Sequence, residues 1–185
     1  IGVSGGIGIR VDTWSGGAFI TNFVTSYRPP GLEDLYNLGP HIGNLIYEKG
    51  NPDLKRERSH GFDCSIRHQS KKVRVEGNFF YYDIDNFIFL APSDQIKHDL
   101  IEANYDQGDS RFVGAELGLD IGLTDHVWIN FGVDTVDAKL KINDQTLPRI
   151  PPLRARLGLD FLYKGFSFHP ELVTTNSKRE IFQTE

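Results

Sequence analysis

Residues 113–133 read VGAELGLDIGLTDHVWINFGV, two alternating runs around a short polar break. Val113, Ala115, Leu117, Leu119 and Ile121 share one parity, and Gly114, Glu116, Gly118 and Asp120 the other. Val127, Ile129, Phe131 and Val133 likewise oppose Trp128, Asn130, Gly132 and Asp134. Successive side chains point to opposite faces only in an extended chain, so this period of two predicts two β-strands joined by a tight turn near Leu123–His126.

Working outward, the same period recurs. Val3, Ile7, Ile9 and Val11 alternate with Ser4, Gly6, Gly8 and Arg10. Phe19, Phe23 and Tyr27 alternate with Ile20, Asn22 and Ser26, and Phe62, Cys64 and Ile66 with Asp63, Ser65 and Arg67. Val73, Val75, Phe79 and Tyr81 oppose Arg74, Glu76, Asn78 and Phe80. Ala155, Leu157, Leu159 and Phe161 oppose Arg154, Arg156, Gly158 and Asp160, and Phe166, Phe168 and Leu172 oppose Ser167, His169 and Glu171. The pattern predicts an all-β antiparallel meander of about eight long strands. Helix is expected only within Gly31–Leu38 and Asp94–Ile101. Short polar connections at 12–16, 68–71, 123–126 and 163–165 alternate with long ones at 28–58, 86–109 and 138–151. In a meander every second connection lies at the same end, so one rim carries tight turns and the other long loops.

The 185-residue chain has a formal net charge of -5, which argues against nucleic acid as a partner. Its single cysteine, Cys64, excludes an internal disulfide. There is no Ser/His/Asp set, glycine-rich phosphate loop or CxxC, so no enzymatic chemistry and no cofactor is expected. Two architectures fit the alternation. A soluble sandwich or barrel hides its apolar face inside. An outer-membrane barrel turns it outward to lipid, with a polar lumen, short turns at one rim and long loops at the other. The strand lengths, the Gly-, Asn- and charge-rich second face and the unequal rims favour the barrel.

The longest connection carries further information. It runs RPPGLEDLYNLGPHIGNLIYEKGNPDLKRERS over residues 28–59, punctuated by Pro29-Pro30, Gly39-Pro40 and Gly50-Asn51-Pro52. It also holds Leu32, Leu35, Leu38, Ile42, Leu45 and Ile46, a content that implies ordered packing rather than disorder. Tyr27-Arg28-Pro29-Pro30, Glu33-Asp34-Leu35-Tyr36, Gly39-Pro40-His41 and Gly50-Asn51-Pro52-Asp53-Leu54 resemble, in that order, elements of the TonB-dependent outer-membrane receptors. Asn78–Ile88, Phe112–Glu116 and Pro148–Arg154 resemble later strands of the same family. The similarity spans nearly all of Tyr27 to Phe161.

That resemblance implies a partial transmembrane β-barrel over residues 1–185, incomplete at both ends, drawn from a barrel of about 22 strands. It implies an outer-membrane location in a Gram-negative bacterium and contact with membrane lipid. The plug domain, the remaining barrel strands and the TonB complex are the implied partners. The implied activity is import of a scarce nutrient, such as a metal, a metal chelate of the siderophore type, or haem. Candidate ligand-binding residues lie in the long connections: Tyr36, His41, Tyr47, Asp94, His98, Asp99 and Tyr105. Aromatic, imidazole and carboxylate groups on convergent loops suit a small ligand, and histidine with carboxylate suits a metal. Arg10, Arg67, Arg74, Glu76, Glu116, Asp120, Asp134, Arg154, Arg156 and Asp160 are expected to line the lumen. Trp14, Tyr81, Phe87 and Phe89 are expected in the interfacial aromatic girdles. Two alternatives stay open at this point. One is a soluble β-barrel or sandwich binding module; the other is a small closed membrane barrel with a structural role.

Overall fold

The computed structural model describes residues 2–43 and 45–177. The strands are β1 (Gly5–Trp14), β2 (Gly17–Arg28), β3 (Leu38–His41), β4 (Ile46–Lys49), β5 (Glu57–Gln69), β6 (Val73–Lys97), β7 (Leu100–Gly122), β8 (Val127–Leu140), β9 (Arg154–Tyr163), β10 (Phe166–Phe168) and β11 (Glu171–Thr175), and one helix, α1, spans Leu32–Tyr36. The main sheet runs β1-β2-β5-β6-β7-β8-β9, with β10 and β11 both pairing β9. Those last two form one strand interrupted at His169–Pro170, where proline offers no N–H but its carbonyl accepts from Leu159 N (3.1 Å). This is the all-β antiparallel meander of eight long strands expected from the alternation. Among the described residues β1 pairs only with β2, and β10 and β11 only with β9.

The turns follow the local chemistry. Lys164 and Gly165 both take positive φ (45° and 83°) between the paired Tyr163 and Phe166, as a two-residue hairpin turn requires. At the β7–β8 turn, Thr124 Oγ1 accepts from the backbone N–H of His126 (3.1 Å) and Val127 (3.0 Å). The four short connections expected at 12–16, 68–71, 123–126 and 163–165 all lie at one rim.

The register assigns the faces. Gly77, Leu117 and Val133 align in one row, and Arg74, Asp120 and Asn130 in another. Along the apolar face large side chains stay open: Ile9 is 60% exposed, Phe23 49%, Leu117 41% and Leu157 52%. A soluble sandwich would bury this face; here it forms a continuous outer band. On β7 the band runs from Val113 to Ile121, a stretch within the roughly 9–11 residues that a tilted strand needs to cross the hydrocarbon. The band also climbs across the sheet, topping out near Val133 on β8, Val113 on β7, Tyr81 on β6 and Tyr27 on β2. In register terms the rise is uneven, four residues from β8 to β7, none from β7 to β6 and four over the two steps from β6 to β2, in the sense that strands tilted to a membrane normal require.

The opposite face is polar. It surrounds a cavity of about 1050 Å³ lined by Arg10, Arg67, Arg74, Glu76, Asp120 and Asp160, among others. Its charges pair across strands, Arg67 with Glu76 (2.8 Å) and Arg154 with Asp134 (2.9 Å), and His169 Nδ1 hydrogen-bonds with Asp160 Oδ1 (2.7 Å). Rings also lie over glycines here. A Cβ at Gly114 would come within 2.2 Å of Phe80, and Tyr82 covers Gly61 while donating to Asp63 Oδ1 (2.8 Å).

Three expectations need correction. Residues 86–109 are not a loop: β6 and β7 continue upward as a ribbon and turn over two residues, His98 and Asp99. The stretch Asp94–Ile101, where helix was expected, is this hairpin; α1 does fall within Gly31–Leu38. The physical reason is a bulge at Asp85–Asn86, where Asn86 takes φ 54° and its N–H donates to Asp109 Oδ1 (3.0 Å). The extra residue shifts the alternation by one, so the period of two breaks without the strand ending. For the same reason Phe87 and Phe89 are not in the outer girdle. They pair with Gly108 and Asp106 on the lumen parity and pack on the buried cluster of Ala138, Leu140 and Leu147. Tyr81 does sit at the outer edge of the band, and Trp14 lies at the tight-turn rim with its Nε1–H donated to His68 Nδ1 (2.9 Å).

Leu117→Arg or Ile129→Arg, both in the band, should each destabilise the lipid-folded barrel by about 2–4 kcal/mol. Asn130→Arg, on the polar face beside Asp120 and Asp160, should cost far less. Urea unfolding in phospholipid vesicles measures the difference, and equal costs on the two faces would contradict an outward apolar band.

Candidate functional site

The site is assembled at the long-loop rim, where lipid no longer imposes a regular ladder. Above Leu140, β8 stops while β7 continues, which leaves one edge of β7 without its partner. That edge is taken by β4, which pairs in parallel with Ile101–Asn104. The connection between β2 and β5 therefore crosses to the far side of β7.

Several polar contacts hold it there. Arg28 donates from Nε and Nη2 to the two carboxylate oxygens of Glu57 (2.7 Å each), and from Nη1 to Asp34 (3.3 Å). Glu57 Oε1 also accepts from the backbone N–H of Ile88 (2.8 Å), which joins β2, α1, β5 and β6 at one point. Gly50 lies so close to the end of α1 that a Cβ would sit 2.6 Å from Leu35 and Tyr36 backbone, and its N–H donates to Asn37 O (2.7 Å). Asn51 closes a turn on the Asp53 N–H (3.0 Å) and donates from Nδ2 to Tyr105 O (3.3 Å). Past this turn, β5 begins at Glu57.

At the centre is Glu48, 5% exposed. Its Oε2 accepts from Asn37 Nδ2 (2.8 Å) and from the Tyr105 hydroxyl (3.1 Å), and its Oε1 lies 4.0 Å from His41 Nδ1. A carboxylate this buried is tolerable because charge-assisted donors converge on it. Beside it the buried Tyr47 ring has the Lys97 ammonium over it at 4.3 Å and the His98 ring at 5.7 Å. Burial, followed by the nearby Glu48 carboxylate, pushes the Tyr105 hydroxyl up to about 12.

Of the expected ligand residues, the structure therefore brings His41, Tyr47, His98 and Tyr105 into one assembly linked through Glu48 and Tyr47. Tyr36 stands exposed at the end of α1, and Asp99 is exposed in the β6–β7 turn. Asp94 lies on β6, with its side chain outside the described residues. Among the described residues, no group of three or more His, Cys, Asp or Glu side chains is placed to hold a metal ion. Sequence reasoning overlooked Glu48, Asn37, Lys97 and Gln107. Gln107 clamps the backbone of Lys55, accepting from its N–H (2.7 Å) and donating to its carbonyl. The only sequence signal for Glu48 was its place between Tyr47 and Lys49 in an otherwise irregular stretch. At the tip, His98 and Asp99 take φ of 53° and 61°, the left-handed conformation that a two-residue hairpin turn demands and that His and Asp tolerate better than most residues.

Because the folded hydroxyl of Tyr105 ionises near 12 and a free tyrosine near 10, its contribution to stability is complete below pH 10 and is lost between pH 10 and 12. Alkaline absorbance titration of the detergent-folded protein should show a late phenolate phase that disappears in Tyr105→Phe. Glu48→Ala should strand the Asn37 and Tyr105 donors and loosen the connection by about 1–3 kcal/mol. Limited proteolysis should then cut within residues 29–56 while the strands stay protected.

The fold and rim can be set beside known proteins. Residues 2–179 match the family model described as TonB dependent receptor-like, beta-barrel. The chain is 27% identical over 162 residues to the vitamin B12 transporter BtuB of Photobacterium profundum, covering 80% of this chain and 24% of that protein. Among solved structures, the copper transporter OprC superposes with a TM-score of 0.85 at 20% identity, over 98% of this chain and 27% of that one. The siderophore receptor PirA from Pseudomonas aeruginosa gives 0.69 at 13% identity, over 92% of this chain and 33% of that one. The chain thus spans about a quarter to a third of the length of these relatives.

Proposed function

This chain belongs to the TonB-dependent receptor β-barrel family, and from that premise we propose that residues 1–185 are one section of an outer-membrane nutrient receptor of a Gram-negative bacterium. In this reading the lipid-facing band seats the section in the outer membrane. The remaining strands complete the barrel, a plug domain fills the polar lumen, and the TonB complex supplies the energy for import. The long-loop rim captures the nutrient. The relatives named above span a vitamin B12 transporter, a copper transporter and a siderophore receptor, so membership alone leaves the cargo open.

The observation that carries the proposal is the convergence of α1, β3, β4 and the β6–β7 ribbon on Glu48 and Tyr47. These contacts make the connection a fixed wall and present Lys97, His98 and His41 at its surface. A charged, aromatic and imidazole-bearing wall suits a metal chelate, whose periphery offers acceptors and aromatic rings; haem and siderophore complexes both have that character.

The test is His41→Ala/His98→Ala in the complete receptor, with binding and uptake measured for a panel of ferric siderophores, haem and divalent metals. Binding of the transported class should weaken about tenfold or more while barrel melting is unchanged, since losing a hydrogen bond to a charged group is worth about 1.5–3 kcal/mol. Unchanged binding and uptake would remove both histidines from the site.

A further inference from the structure

The lumen face changes character with height. Even-numbered residues of β7 lie on this face, and Gly118 and Asp120 among them line the charged cavity. Higher up, the same face is aromatic. Phe80 pairs with Gly114, Tyr82 with Phe112, Phe87 with Gly108 and Phe89 with Asp106, while Tyr47 of β4 pairs with Glu102. Six rings therefore share one face, from the rim down to just above the cavity. Successive levels on β7 are at most four residues apart, about 13 Å at roughly 3.3 Å per residue.

The rings are held with a face turned to the lumen. A Cβ on Gly114 would lie 2.2 Å from Phe80, and one on Gly61 2.3 Å from Tyr82, so each ring covers bare backbone of a neighbouring strand. One side of each ring meets backbone, which leaves the other toward the lumen. Tyr82 is fixed by its hydroxyl, donated to Asp63 Oδ1 (2.8 Å), and its ring centroid lies 5.8 Å from that of Phe80. Phe87 meets Phe112 edge to face at 5.3 Å. These four rings and Phe89 are all half-buried.

We propose that the rings form a stacking track that passes the nutrient from the rim into the barrel by a planar conjugated group that it carries. The inference rests on the reading that the rim captures a metal chelate, and it narrows that chelate to one with flat, conjugated ligand groups. Open π-faces favour offset stacking with such groups and ask for no hydrogen-bond partner in return. A loop of the plug is a poorer occupant of this strip. Its backbone N–H and carbonyl groups need partners, which ring faces do not offer and the charged wall around Arg74, Glu76 and Asp120 does. A hydrated metal ion has no flat face to stack. Repeated contacts of moderate strength also suit passage, because each level must release what it binds.

The experiment uses the complete receptor in its own outer membrane, with equilibrium binding and initial import rate measured for haem, a corrinoid, a ferric tris-catecholate and cupric ion. The native receptor should import at least one of the three flat chelates. F80L/F87L, which keeps apolar bulk, should lower that rate at saturating concentration about tenfold, the worth of two stacked contacts. Equilibrium affinity at the rim, barrel melting and protease resistance of the plug should not change. F87L/F112L, which uncovers neither glycine, should show the same selective loss even if F80L/F87L melts early. F80Y/F87Y, which keeps the π-faces, should import at the native rate. The histidine test reads equilibrium affinity and this one the rate at saturation, so the two readings fail separately. Native import of none of the flat chelates, leucine variants that import at the native rate, a parallel loss of rim affinity, or loss of plug protection would each overturn the proposal.

Discussion

Inside hydrocarbon no water can satisfy a backbone N–H or carbonyl, so every such group must find its partner within the protein. The ladder between β2 and β8 obeys this constraint wherever the outer face is apolar. The register shifts fall at Asp12/Trp14, Ile84/Phe87 and Pro92/Ile96, all beyond the ends of the band. Between them the alternation runs unbroken, because one slipped residue would carry a whole series of apolar side chains to the charged face.

Beyond the band the constraint relaxes, and the chain uses that freedom. The bulge at Asp85–Asn86 changes which parity faces the lumen, and it draws Phe87 and Phe89 into contact with Ala138, Leu140 and Leu147. The end of β8 opens an edge on β7, and β4 closes it. An unpaired edge would otherwise offer itself to another chain. The rim is consequently a packed layer. The buried carboxylates of Glu48 and Glu57 act as nodes at which separate segments meet.

The two faces of the spanning region solve opposite problems. The outer face is mostly aliphatic and aromatic, interrupted by Thr21, Thr25, Cys64 and His60. The inner face holds both charge signs close together, and cross-strand pairs such as Arg67–Glu76 and Arg154–Asp134 neutralise them locally. Glycines such as Gly61 and Gly114 leave room for rings from the neighbouring strand, which stiffens the sheet where no dry core exists.

The spanning strands, their facing and the placement of tight turns at one rim were legible in the sequence. In lipid the alternation is a direct image of the environment on either side of the sheet: Leu117 and Gly118 differ because one meets hydrocarbon and the other the lumen. The motifs from Tyr27 to Asp53 also marked a connection that folds into ordered structure, and four of the seven candidate ligand residues lie in one assembly there. What the alternation could not reveal lies above the band. Residues 86–109 read as a loop because the bulge at Asn86 breaks the period without breaking the strand, and side chains there meet other protein segments in place of lipid and lumen. Glu48 could not be singled out, because its importance comes from Asn37, Tyr105 and His41, which reach it from three places along the chain. Pairing β4 with β7 depends on where β8 happens to end. Those are long-range decisions, and a local pattern carries information only about what lies immediately on each side of the strand.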